Sequence, residues 1–231
     1  MVLDEQGSIA IADTMNSIHT VICIHGIWSH TVAMTMIKRR LAKEYGMQVL
    51  SFNYPSVRGT LDDNAAALTN FIHEQGLEAT HIIGHSLGGV IALRMLANDP
   101  DAVPGRVVCI GSPLTGSRAA TFLSEQDWAE PFLGNSLPAG VIHEAANVWA
   151  SHVCDVRDVG VIAGTVGIGV GRLVTTFDGD SDGSVAVSET RLEGARDHIC
   201  MAVSHKGMLI SSDVADQAAA FFKRGEFLRD E

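Results

Sequence analysis

Positive charge is scarce in this chain of 231 residues: 16 Lys and Arg stand against 27 Asp and Glu, a formal net charge of -11. A nucleic-acid partner is therefore not expected, because binding phosphate needs a basic face. The same balance disfavours electrostatic docking on anionic lipid. It points to a substrate that is neutral or held by apolar contacts. Long apolar runs are missing too. The most apolar late segment, 160–171, is too short and too glycine-rich to cross a bilayer, so no stable membrane insertion is expected. Residues 1–17 carry Asp4, Glu5 and Asp13 but neither a basic start nor an apolar core. That is not the pattern of a secretory signal, so the segment reads as an N-terminal extension and the chain as cytoplasmic.

Several chemistries are excluded by spacing. Cys23, Cys109, Cys154 and Cys200 form no C-x-x-C pair, which removes zinc ribbons and thioredoxin-like centres. Cys23, Cys109 and Cys200 sit in apolar runs and are expected as buried free thiols, in keeping with a reducing compartment. His143-Glu144-Ala145-Ala146-Asn147 has Asn where a zinc motif needs its second His. A G-x-G-x-x-G begun at Gly167 ends on Arg172, so the glycines there make no dinucleotide fingerprint. No cofactor and no metal are expected. There is no internal repeat, low-complexity tract or linker, and the length suits a single domain, 1–231.

What is present alternates. Short apolar runs at 19–24, 47–52, 80–84, 106–110, 155–163 and 198–203 read as strands. They are continuous rather than alternating, as suits a parallel sheet covered on both faces. Helical patterns fall at 32–44, 61–75, 86–98, 117–124 and 213–224. This predicts an α/β fold: a mostly parallel sheet of about six strands with helices on both faces. The stretch 126–152 is the least regular and is a candidate cap or mouth element.

One motif joins a strand to a helix: Gly84-His85-Ser86-Leu87-Gly88-Gly89. A G-x-S-x-G in that context puts Ser86 at the tip of a tight turn with its hydroxyl exposed. Gly84 and Gly88 flank the turn, where a Cβ would collide with neighbouring backbone. A serine so placed needs a base on a loop after the last strand. His205 fits, since it follows the run 198–203 and precedes the last helix. His198 is the rival but opens that run, at the wrong end of a parallel sheet. The acid that orients the base is expected after the preceding strand, among Asp178, Asp180 and Asp182, with Asp155 a distant rival. Two backbone N–H groups must hold an oxyanion. Leu87, after the nucleophile, supplies one. His25-Gly26-Ile27-Trp28, after the first strand, supplies the other through Ile27, with His25 as a loop-holding side chain. Trp28, Met34, Phe132 and Trp149 are candidates to line an acyl pocket, though each is a core or rim residue as readily.

These landmarks, with Tyr54-Pro55-Ser56, the run Gly111-Ser112-Pro113-Leu114-Thr115-Gly116-Ser117, Asp182-Gly183-Ser184-Val185 and Ser204-His205, resemble small bacterial lipase/esterases and inositol-deacylase-like enzymes of the α/β-hydrolase superfamily. The resemblance runs from about residue 19 to 227. It implies an α/β-hydrolase fold and a triad of Ser86, Asp182 and His205. It also implies an oxyanion hole from Ile27 and Leu87, and cleavage of small-molecule or lipid-like acyl esters. No long apolar helix resembling a lipase lid follows the elbow. The same triad would serve an acyltransferase, thioesterase or amidase. A reading from another class comes from Asp178-x-Asp180-x-Asp182-Gly183 followed by Glu189, which has the full spacing of an EF-hand calcium loop. It would make the chain a calcium-binding or noncatalytic interaction module on a hydrolase scaffold. The glycine-rich 164–171 is a poor entering helix for such a loop.

Overall fold

The computed structural model describes residues 18–77, 79–103, 105–125, 141–142, 146–168 and 179–229. The expected N-terminal extension, Phe132, most of the candidate cap at 126–152 and Asp178 lie outside the described residues. Among the described residues there are six strands: β1 (Thr20–Ile24), β2 (Gln48–Phe52), β3 (His81–His85), β4 (Val107–Ile110), β5 (Val159–Gly164) and β6 (Asp197–Met201). They form one sheet in the order β2-β1-β3-β4-β5-β6, and every neighbouring pair is parallel.

Among the described residues the α-helices are α1 (Thr35–Tyr45), α2 (Leu61–Glu74), α3 (Leu87–Asn98), α4 (Arg118–Ser124), α5 (Asn147–Cys154) and α6 (Ser212–Arg224). Side chains alternate across each strand. Ile22, Ile24, Ile82, Val107, Cys109 and Val161 pack with α2, α3 and α5 on one face. Val21, Cys23, Ile83, Val108, Ile110 and Ile162 pack with α1 and α6 on the other. Both faces being apolar is why the strands read as continuous runs.

Three expectations are corrected. A strand from 155 begins only at Val159, because Asp155 caps α5 and residues 155–157 turn after it. The stretch 126–152 is not irregular throughout: α5 opens at Asn147, with Ala150 and Val153 buried. Cys200 is exposed and Cys154 half-buried, whereas Cys23 and Cys109 are buried. Cys200 lies on β6, which among the described residues is an edge strand with a neighbour on one side only.

α6 carries the expected terminal chemistry. The Ser211 side chain accepts from the Val214 N–H, Asp213 sits in the first turn, and Lys223 and Arg224 close the last. The N-terminal edge of the sheet is tied by a buried network. Arg106 N–H donates to His81 Nδ1 at 2.9 Å, and the Arg106 side chain donates to Asp158 and to the Phe222 carbonyl. The His81 ring stacks on Phe222, centroids 4.6 Å apart.

Burial, with the Arg106 charge adding, pushes the His81 pKa from 6.5 down to about 3. The unfolded chain therefore holds one more proton at this site between those two values. Stability from His81 is complete above pH 6.5 and falls with pH through that window, by about 1.4 kcal/mol per pH unit. His81→Leu is expected to flatten the acid slope of the unfolding free energy by about one proton. Urea titrations between pH 7 and 4 would read it, and an unchanged slope would remove His81 from the account.

Candidate active site

The site is built where the strands end. β3 stops at His85, Ser86 follows with φ 54° and ψ -123°, and α3 begins at Leu87. Among the described residues, Ser86 and Trp28 are the non-glycine positions with positive φ. Such backbone costs on the order of 1–3 kcal/mol and persists only where the surroundings impose it. Here the surroundings are explicit. Ser86 N–H donates to the Ile110 carbonyl at 2.9 Å, fastening the turn to the end of β4. A Cβ on Gly84 would lie 2.4 Å from Gly89 N, and one on Gly88 would lie 2.4 Å from the Ile24 carbonyl oxygen. Both obstacles are backbone. Gly88→Ala is therefore expected to lower stability by at least about 2 kcal/mol, through overpacking that backbone cannot relieve. Thermal unfolding would measure it, and an unchanged midpoint would show that the turn tolerates a side chain.

Asp182 and His205 are brought together from loops after β5 and β6. His205 Nδ1 donates to Asp182 Oδ2 at 2.7 Å. Asp182 is fully buried, and its Oδ1 accepts from Ser184 N–H at 2.8 Å and Val185 N–H at 2.7 Å. The backbones are paired too: His205 N–H donates to the Asp182 carbonyl at 2.9 Å. The pair fits against glycine at two strand ends. A Cβ on Gly111 would lie 3.1 Å from Asp182 Oδ2 and 3.2 Å from His205 Nδ1. One on Gly164 would lie 2.7 Å from Asp182 Cβ.

The loop after β1 crosses the same edge. A Cβ on Gly26 would lie 3.0 Å from Ser86 Cβ, so Gly26 and the elbow are in close contact. His25 holds the loop as expected: Nδ1 donates to the Gly26 carbonyl at 2.8 Å, and Nε2 lies 3.0 Å from the Asn53 side-chain amide. Tyr54 Oη donates to the His25 carbonyl at 2.7 Å, and its ring stacks on the His25 ring at 4.5 Å. Burial holds the His25 pKa below the ordinary histidine value. Ile27 follows on this loop, and Leu87 is the first residue of α3, whose N–H has no acceptor within the helix.

Residues 21–221 match the model of the alpha/beta hydrolase family. The chain belongs to the alpha/beta hydrolase family. It is 28% identical over 119 residues to N-formylmaleamate deformylase of Pseudomonas putida, a match covering 48% of this chain and 43% of that protein. It is 30% identical over 125 residues to 2-hydroxy-6-oxononadienedioate/2-hydroxy-6-oxononatrienedioate hydrolase of a Pseudomonas species, covering 50% and 44%. The chain thus spans less than half the length of either relative. Among solved structures, the mature lipase BlEst2 of Bacillus licheniformis superposes with a TM-score of 0.69 at 17% identity, over 91% of this chain and 93% of that one. A lipase-esterase related protein of Clostridium acetobutylicum gives 0.62 at 13% identity, over 87% and 93%. At such identities the likeness is one of fold.

Against this alpha/beta hydrolase frame the rival residues fall elsewhere. His198, near the start of β6, donates from Nε2 to Thr190 Oγ1 at 2.9 Å, and burial lowers its pKa. Asp155 is the C-cap of α5, with its carboxylate exposed. Glu189 is buried and bonds to backbone: Oε1 accepts from Arg118 N–H at 2.7 Å and Oε2 from Ala186 N–H at 2.8 Å. It ties the loop after β4 to the loop bearing Asp182, and burial raises its pKa. The two described carboxylates most needed by a calcium loop, Asp182 and Glu189, thus have their oxygens engaged by N–H donors. Of the proposed pocket residues, Trp28 is exposed, Met34 is buried in the core on the α1 and α6 face, and Trp149 is partly buried against the core on the opposite face, so the three do not line one pocket.

Proposed function

We propose that this hydrolase-family chain cleaves carboxylic esters through an acyl-enzyme on Ser86. One observation carries the reading. The His205–Asp182 contact of 2.7 Å, with Asp182 buried and its other oxygen held by two N–H groups, lies on the same sheet edge as the strained Ser86 elbow. Asp182 fixes the His205 proton on Nδ1, which leaves Nε2 as the free nitrogen to take a proton from Ser86 Oγ. The alkoxide character so generated attacks the acyl carbon. The N–H groups of Ile27 and Leu87 receive the oxyanion, and the imidazolium at His205 then protonates the departing alcohol. Water, activated in the same way, releases the acid. Asp182 stabilises the imidazolium at both stages without itself taking a proton.

A second reading keeps the acyl-enzyme and changes the bond or the acceptor, giving an amidase, thioesterase or acyltransferase. The similarity to a protein named N-formylmaleamate deformylase supports the amidase form of this reading. A labelled fluorophosphonate is expected to modify the purified protein at Ser86, as shown by peptide mapping. A panel of acyl esters, thioesters and amides would then rank the bonds cleaved. Absence of labelling in folded protein would overturn both readings and return the chain to a noncatalytic module.

A further inference from the structure

His85 is neither nucleophile nor base in the mechanism above, yet it sits between the nucleophile, the base loop and the loop after β1. It precedes Ser86 in the chain, is 5% exposed, and ends β3. Its Nε2 lies 3.0 Å from the backbone carbonyl oxygen of His205, 120 positions away. A carbonyl oxygen only accepts, so the His85 proton sits on Nε2 and Nδ1 is bare. That bare nitrogen is buried without a hydrogen-bond partner among the described residues. It faces the loop after β1, where a Cβ on Gly26 would approach it to 3.1 Å.

A buried acceptor left unpaired costs free energy that a hydrocarbon side chain of similar size would avoid. The ring is retained at that cost with one bond in return, the bond to His205. The two bonds on the His205 backbone are complementary. Its N–H donates to the Asp182 carbonyl, and its carbonyl receives the His85 proton. The base is thus held at its ring by Asp182 and at its backbone from both sides. The two imidazoles are in contact, centroids 4.6 Å apart and tilted by 47°. Burial, with the His205 charge adding, holds the His85 pKa well below the ordinary value, so His85 does not compete for the proton that His205 must receive.

We propose that His85 is a positioning residue whose neutral ring, by donating from Nε2 to the His205 carbonyl, sets the base loop against the nucleophile beside it. This rests on the serine-hydrolase reading. Because His85 and Ser86 are adjacent, one residue carries both the nucleophile's attachment and the base's backbone anchor. A shift of the loop then moves the His205 ring relative to the serine hydroxyl, and misplacement by about 1 Å can cost on the order of a hundredfold in rate.

The test compares His85→Leu with His85→Gln on a soluble aryl ester. Gln presents a neutral amide N–H in the direction of Nε2, and Leu fills the space with no donor. His85→Leu is expected to lower kcat by about a hundredfold with KM within about twofold, because substrate contacts are untouched. His85→Gln is expected to recover at least about tenfold of that loss. Equal kcat in the two folded variants, or a change confined to KM, would overturn the proposal. Nitrogen-15 NMR of the unsubstituted protein gives a reading that does not depend on either variant folding. His85 should be the Nε2–H tautomer at every pH from 6 to 8. A proton on Nδ1, or a doubly protonated ring at pH 7, would also overturn it. That measurement reads the contact even in a protein without turnover, so a failure here is separable from a failure of the hydrolase reading, which fluorophosphonate labelling decides.

Discussion

Ser86→Ala is expected to fold as the parent does and to lose at least about 10⁴-fold of ester turnover, with fluorophosphonate labelling abolished. The change removes one oxygen at a half-buried position and leaves the glycines that shape the turn in place. Ser86 N–H keeps its bond to the Ile110 carbonyl, so the elbow retains its anchor. Residual activity would come from the oxyanion donors and binding alone. The backbone supplies an independent check. Ser86 sits at φ 54° and ψ -123°, which glycine adopts without a Cβ penalty. Ser86→Gly is therefore expected to be as inactive as Ser86→Ala but more stable than it, by about 1 kcal/mol. Thermal unfolding of the two inactive variants reads the difference. A folded Ser86→Ala that turns over ester at the parental rate would remove Ser86 from the mechanism. A Gly variant less stable than the Ala variant would instead show that the elbow stores no strain.

The centre of the sheet was legible because β1, β3, β4 and β5 are buried on both faces. Val21–Ile24, Ile82–Ile83 and Val107–Ile110 are apolar runs whose alternate residues feed two separate cores. Glycine spacing revealed the elbow, since only a turn pressed against backbone needs glycine at both 84 and 88. Legibility failed where apolar residues do not mark their element. Val153, Cys154 and Val156 place apolar residues close ahead of β5, so a strand read from 155 begins four residues before the strand itself, across the charged turn of Asp155, Arg157 and Asp158. Asn147–Cys154 is also short and carries apolar residues around much of its circumference, which leaves little helical period to detect.

Side-chain partners across the fold were the least legible. Asn53 and Tyr54 brace the loop at His25 because β2 lies beside β1, and His85 meets His205 across 120 positions. No local pattern encodes such pairs. Tyr54 stood within the family resemblance and His85 within the elbow motif, but neither position carried a role until the strand order was known. Glu189 shows the opposite error. Its spacing from Asp178 mimics a metal loop, whereas its burial and its two backbone N–H donors make it a brace between loops.

Replacing Asp182 by Asn is expected to lower turnover by about 10⁴-fold while the protein still folds, because the amide fixes the wrong tautomer of His205. Asp182 Oδ1 accepts from Ser184 and Val185, and these two N–H groups demand an oxygen. The Asn side chain must therefore keep its oxygen there and turn its NH₂ toward His205 Nδ1, where Oδ2 now sits at 2.7 Å. An NH₂ group only donates, so Nδ1 must accept, and the ring proton moves to Nε2, the nitrogen that should face Ser86. The base is then blocked at neutral pH, with the loop geometry unaltered. Circular dichroism should be parental and KM nearly so, with the loss in kcat. Glu189→Gln tests the competing loop on the same axis. It exchanges an acceptor for a donor opposite Arg118 or Ala186 N–H, so it should lower the melting temperature while leaving turnover within a few-fold. EDTA should change neither quantity. Calcium-dependent activity, with comparable losses at Asp182 and Glu189, would instead mean that the loop's carboxylates leave their N–H donors to ligate an ion. The acid that orients His205 would then have to come from another residue.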